Sequence, residues 1–154
     1  HDDRLVERVV VLVEAAGMQD QVVTLSLSRS MVQEMKRLRP EWTSGLLLAR
    51  SIGDASKLEA DFLADPTSVA TRRFIRHAHA AGKPVYAWTV NDPQQMVRLV
   101  GYGVDGIITN YPALARAVVA QYEALDPAQR MVLFAMARLG GRAPVAEPDS
   151  LLRY

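Results

Sequence analysis

Two hydrophobic patterns alternate along the chain. Apolar residues recur every three or four positions in the stretches 2–17, 29–39, 67–82, 92–103 and 112–125, which predicts five amphipathic helices. Between them lie short runs that are mostly apolar or β-branched, at 21–27, 43–49, 60–64, 83–90 and 104–110, and these predict five strands. Ser28 and Asp92 stand where helix N-caps are expected, and Gly17 and Gly82 where helices end.

Strands that alternate with helices predict an α/β fold with a parallel sheet covered by helices. In such folds the functional groups lie where the strands end, at the carboxyl edge of the sheet. The predicted strand ends are Ser26 and Ser28, Leu48 and Ala49, Leu63 and Ala64, Trp88 to Asn91, and Thr109 with Asn110. This set contains no histidine and no cluster of carboxylates, so it is poor in catalytic chemistry.

Composition excludes several classes of protein. The 154 residues include no cysteine, which rules out disulfides and thiolate metal sites. The net charge of +1 gives no general reason to expect nucleic acid as a partner. No apolar run is long enough for a membrane span, and the first residues do not resemble a signal peptide. We therefore expect a soluble domain, whose parent protein is cytoplasmic or associated with a membrane.

Two motifs at a defined spacing carry a family resemblance. The sequence reads WTVND from Trp88 and, after one helix, GVDGIITNYP from Gly103. QVVTLSLS, RLRPEWTSGLLLA, ADFLA and HAHAAGKPVYAW add to the match, which runs from about Leu5 to Val119. The chain thus resembles the C-terminal part of the glycerophosphodiester phosphodiesterase family. The resemblance implies a (β/α)8 barrel that uses a divalent metal, Mg or Ca, to hydrolyse glycerophosphodiesters to glycerol 3-phosphate and an alcohol.

The family's catalytic groups come from the first half of its barrel, and none of them can be matched to this sequence. His1 and Asp2 do not fit its His-Asp motif, because they run straight into the first predicted helix. We therefore expect an incomplete TIM-type (β/α) barrel of about five parallel strands. The resemblance further implies a truncated fragment with no catalytic residue and no metal ligand of its own, inactive in isolation.

Three residues are the candidates for lining a substrate pocket. Trp88 ends a predicted strand, where its indole can form an apolar wall, although a place in the barrel core is an equal alternative. Asn91 follows it and can both donate and accept hydrogen bonds near phosphate or hydroxyl groups. Ser26 occupies the serine position of the family's Ser-Phe-Asp motif, while Leu27 and Ser28 depart from that motif and Asn110 replaces a more common Asp.

Other polar residues are better explained by structure. His77 and His79 are two positions apart on one predicted helix, so they point in different directions and do not form a metal pair. Asp105 is at the start of its strand, at the end opposite the expected site, where it can stabilise the turn. Asp92 is placed to cap the helix that begins at Pro93.

We assign residues 1–120 to the barrel portion and 121–154 to an extra helix with an extended tail. An alternative function is that of a non-catalytic binding or assembly module. An incomplete barrel leaves sheet edges open, and a homo-oligomer would close them.

Overall fold

The computed structural model describes residues 4–49 and 58–131. Outside these residues lie His1 and Asp2, most of the loop predicted at 51–59, most of the predicted extra helix, and the tail from 142. The helices are α1 Leu5–Ala15, α2 Arg29–Leu38, α3 Arg72–Ala80, α4 Pro93–Tyr102 and α5 Pro112–Ala124. The strands are β1 Thr24–Ser26, β2 Ser44–Leu47, β3 Phe62–Pro66, β4 Val85–Trp88 and β5 Gly106–Ile107.

The five strands form one parallel sheet in the order β1-β2-β3-β4-β5. Each strand therefore pairs with the next strand along the chain, as repeated β/α units do when they build a barrel wall. This confirms the α/β class and the predicted number of strands. The described part of the sheet ends at β1 on one side and at β5 on the other.

Helices cover one face of the sheet. Leu46, Leu63 and Val85 pack with Val32 of α2 and Ile75 of α3 in one buried cluster. A second cluster joins the strand residues Ala87 and Ile107 to α4 and α5. Burying each large apolar side chain contributes roughly 1.5–3 kcal/mol, so these clusters are the main source of stability.

The alternate strand residues lie on the opposite side of the sheet, which we call the inner face. It carries Leu25, Gly45, Phe62, Ala64, Tyr86, Trp88, Gly106 and Ile108, by the register of the paired strands. None of these side chains belongs to either cluster beneath the helices. Leu25 and Ile108 are 44% and 40% exposed, so this apolar face is incompletely covered.

Some predicted boundaries were wrong by several residues. The helix predicted from 67 begins at Arg72, because residues 67–70 form a turn in which Val69 N–H donates to Pro66 C=O at 2.8 Å. The strand predicted at 60–64 extends to Pro66, and β1 is shorter than predicted because a 3-10 turn occupies Gln19–Gln21. The caps were predicted correctly at Ser28 and Asp92.

Candidate functional site

The carboxyl ends of the five strands meet along one edge of the sheet, because all the strands run in the same direction. Trp88 ends β4 and lies beside Pro66 of β3 in register. The loops after β4 and β5 lie next to each other, as the pairing of those two strands requires. This edge is the place where a β/α fold presents its functional groups.

Trp88 lies on the inner face at this edge. Its side chain is half-buried, and the indole Nε1–H donates to the carbonyl oxygen of Ala64 at 3.0 Å. The hydrogen bond holds the ring across the end of β3, so its orientation is set by a neighbouring strand. A fixed indole that is partly exposed provides an apolar wall at the carboxyl edge.

Asn91 joins the two neighbouring loops. Its Oδ1 accepts from the backbone N–H of Asn110 at 3.0 Å and from the hydroxyl of Thr109 at 3.1 Å. The Thr109 oxygen in turn accepts from the N–H of Tyr111, also at 3.0 Å. The amide oxygen is therefore occupied, whereas the exposed NH2 group makes no hydrogen bond with a described residue and can donate to a ligand.

Ser26 does not join the other two candidates. It pairs in register with Leu46, which places it on the side of the sheet covered by helices. There Ser26 Oγ accepts from the N–H of Ser28 at 3.1 Å and contacts Met31 Sδ at 3.7 Å. It lines a cavity of about 270 Å³ between β1, α1 and α2, away from Trp88. Its contacts are those of a residue that shapes the β1–α2 turn.

Asp65 is a residue of chemical interest that sequence analysis missed. It lies near the carboxyl end of β3, alternates with Leu63 and pairs in register with Ala87, so its side chain enters the apolar layer beneath the helices. It is 0% exposed, and neither carboxyl oxygen has a hydrogen-bond partner among the described residues. Burial raises its pKa to about 7. The prediction failed because the strand was ended two residues too early, at Ala64 instead of Pro66, although Asp-Pro after an apolar run was a visible signal.

Asp92, Asp105 and His79 make structural contacts. Asp92 Oδ2 accepts from Gln95 N–H at 2.7 Å and caps α4. Asp105 Oδ2 accepts from Val85 N–H at 2.7 Å and lies 2.7 Å from His79 Nε2, at the end of the sheet opposite Trp88. These contacts agree with the structural roles predicted for Asp92 and Asp105.

The donor groups in this part of the fold do not fit a metal ion. Within residues 4–49 and 58–131, no three His, Cys, Asp or Glu side chains come together as a possible ligand set. Asp65 is buried alone among apolar residues, and Asp92 and Asp105 lie at opposite ends of the sheet.

No helix in the described part of the chain is both long and apolar enough to cross a bilayer.

Comparison with known proteins points to one family. A curated relative from Mycobacterium tuberculosis, named "Probable glycerophosphodiester phosphodiesterase 2", is 47% identical over 51 residues, which are 33% of this chain and 19% of the relative. A glycerophosphodiester phosphodiesterase structure from Parabacteroides distasonis superposes with a TM-score of 0.70 at 20% identity, covering 77% of this chain and 51% of that one.

A phosphodiesterase from Oleispira antarctica, solved with its product sn-glycerol-3-phosphate, gives a TM-score of 0.66 at 20% identity and covers 78% of this chain and 52% of that one. The chain thus spans about half the length of these solved structures, and its fold is part of a TIM-type barrel. The model of the glycerophosphoryl diester phosphodiesterase family matches residues 7–114. The chain belongs to the glycerophosphoryl diester phosphodiesterase family.

Proposed function

We propose that this chain forms the C-terminal part of a metal-dependent glycerophosphodiester phosphodiesterase. The observation that carries the proposal is the family match over residues 7–114, on a parallel sheet that superposes on part of longer phosphodiesterase chains. The reaction adds water to a glycerophosphodiester, breaks one P–O bond and releases glycerol 3-phosphate and an alcohol. The product bound to the Oleispira antarctica enzyme supports this substrate class.

In this proposal Trp88 and Asn91 shape the substrate end of the site. The indole, fixed by its bond to Ala64, packs against the carbon backbone of the glycerol group. The free NH2 group of Asn91 donates to a hydroxyl or phosphate oxygen, while its oxygen holds the β5 loop in place. Ser26 contributes through the β1–α2 turn and not by direct contact.

Catalysis and metal binding are assigned to residues outside this chain. The described residues offer no cluster of His, Cys, Asp or Glu that could hold Mg or Ca. The proposal is that the chain alone does not hydrolyse substrate, because it orients one end of the substrate without supplying a group that attacks or protonates it.

A chimera tests the proposal. The N-terminal part of the Mycobacterium tuberculosis relative is joined to this chain, and release of glycerol 3-phosphate from glycerophosphodiesters is measured with Mg or Ca present.

We expect hydrolysis by the chimera. We expect Trp88→Ala to lower its kcat/KM by about 10-fold or more, since the change removes an apolar wall worth roughly 1.5–3 kcal/mol. Trp88→Phe keeps a smaller aromatic ring without the bond to Ala64, so kcat/KM should fall less than in Trp88→Ala. A folded chimera without hydrolysis contradicts the proposal.

One observation favours a second function, that of an assembly module without hydrolytic activity. Val23, Leu25 and Leu27, on or beside the edge strand β1, are 62%, 44% and 63% exposed. Exposed apolar side chains on an unpaired edge favour association with another strand. This alternative predicts a stable homo-oligomer in solution and no hydrolysis by the chimera.

A further inference from the structure

The outer surface of α3 is strongly basic. Arg72, Arg73, Arg76 and His77 are all exposed, whereas Ile75 and Ala78 are buried against the sheet. The helix Arg72–Ala80 contains no Asp or Glu. Its solvent side therefore presents three guanidinium groups with no acidic residue between them.

These three guanidinium groups are not used to hold the fold together. None of them forms an ion pair with a residue in the described ranges 4–49 and 58–131, whereas Arg37 and Arg39 of the neighbouring α2 region pair with Glu34 and Glu14. Their charge is thus available for a partner.

Two of the arginines stand where a helix disfavours them. Arg72 and Arg73 occupy the first turn of α3, whose backbone dipole is positive at that end. Acidic residues are the usual choice there, and Thr71 already supplies the cap by accepting from Phe74 N–H at 3.2 Å. Basic residues at a helix N-terminus that make no compensating ion pair with a described residue indicate a functional role.

The position of α3 places this charge beside the candidate site. α3 follows β3 after a short turn and starts at the carboxyl edge of the sheet, the edge that carries Trp88 and Asn91. Residues 67–104 contain five Lys and Arg and one Asp, a net charge of +4, while the whole chain has +1. The low charge of the whole chain conceals a local basic surface.

We propose that the arginine face of α3, formed by Arg72, Arg73 and Arg76, binds the surface of an anionic phospholipid bilayer. The choice of a lipid surface rests on the proposed function, because a glycerophosphodiester is a phospholipid without its acyl chains. A convex helix that exposes guanidinium groups suits a plane of phosphates. Its exposed side carries no Trp or Tyr for stacking single-stranded bases, and its one Phe, Phe74, packs against the buried cluster beneath the helix.

The test is co-sedimentation of the 154-residue chain with vesicles. Vesicles of phosphatidylglycerol and phosphatidylcholine should bind the chain at low salt and release it as salt increases, because the attraction is screened. Each basic residue near an anionic surface is worth about fivefold in partitioning, so the triple variant Arg72→Gln, Arg73→Gln, Arg76→Gln should bind roughly 10²-fold more weakly.

Three controls make the result specific. Arg8→Gln, Arg37→Gln, Arg116→Gln removes the same charge from three other helices and should bind much as the unchanged chain does. Replacing the three α3 arginines by lysine keeps the charge and should keep binding. Vesicles of phosphatidylcholine alone report adhesion through the apolar inner face.

Equal losses in the two glutamine variants would overturn the proposal, as would equal binding to neutral vesicles. Preferential binding to duplex DNA or RNA over vesicles would also overturn it, since the partner would then be a nucleic acid. The assay contains no glycerophosphodiester, so its failure is separate from a failure of the phosphodiesterase chimera. If the glutamine variant does not fold, loss of binding in the lysine variant decides against the proposal.

Discussion

Asp92 caps its own helix, whereas Asp65 and Asn91 lie against residues of other strands and loops. Asp92 was predictable as a cap because an acidic residue before proline at a helix start has a local explanation. The burial of Asp65 was not, because it depends on which face of β3 the residue occupies and on the neighbours Leu63 and Ala87. The hydrogen bonds from Asn91 to Thr109 and Asn110 were likewise not predictable, because they depend on the pairing of β4 with β5 in the fold.

Asp65 should make stability depend on pH. Its pKa is raised to about 7 from the usual 3.8, so the carboxyl group stays protonated to a higher pH in the folded state than in the unfolded chain. The free energy of unfolding should therefore fall as pH rises from about 4 to 7 and then level off. Asp65→Asn imitates the protonated side chain and should remove this loss, which makes the variant more stable above pH 7 by up to about 4 kcal/mol.

Urea unfolding between pH 4 and 8.5 measures this difference. Asp92→Asn is the control, because it removes the same formal charge at an exposed position and leaves a capping side chain. A wild-type chain and an Asp65→Asn variant with parallel pH profiles would show that Asp65 is not buried as described.

Asn91 should stabilise the chain independently of any substrate. Asn91→Ala removes the acceptor for Thr109 and for the N–H of Asn110, so the free energy of unfolding should fall by about 1–2 kcal/mol. Asn110→Ala is a matched control, since the backbone of Asn110, and not its side chain, makes the contact. Its effect in urea unfolding should stay within about 0.5 kcal/mol, and equal effects of the two changes would argue against the fastening role.

At the scale of elements, periodicity predicted the number and type of helices and strands, while boundaries followed from local hydrogen bonds. The turn at 67–70 continues the apolar pattern of α3, yet Thr71 caps the helix and excludes those residues from it. Because the apolar pattern runs through both the turn and the helix, it cannot show at which residue α3 begins.

Packing on the inner face also depends on contacts between neighbouring strands. Gly106 lies beside Tyr86 in register, and a Cβ at Gly106 would overlap the Tyr86 ring. That ring packs edge-on against Phe62 at 5.0 Å between centroids, so it has limited freedom to move.

Gly106→Ala should therefore destabilise the chain by about 1–3 kcal/mol. In a Tyr86→Ala background, where the ring is absent, the same change should cost much less, and a double-mutant cycle in urea measures the coupling. Additive effects of the two changes would contradict close packing of Tyr86 over Gly106.

At the scale of the whole molecule, the sequence predicted a partial barrel and the structure confirms five parallel strands with flanking helices. The two motifs at β4 and β5 carried this prediction, because their spacing fixes a strand, a helix and a second strand. Leu25 and Ile108 are exposed on the inner face, so part of its apolar surface is uncovered within the described residues.

The most direct test of the account is an assay of the purified 154-residue chain for release of glycerol 3-phosphate from glycerophosphodiesters, with Mg and then Ca present. We predict no release above the level without protein, because in the proposed function Trp88 and Asn91 only orient one end of the substrate. The described residues also contain no cluster of His, Cys, Asp or Glu that could hold the metal. Steady turnover by the folded chain alone would contradict the central claim that the catalytic groups lie outside it.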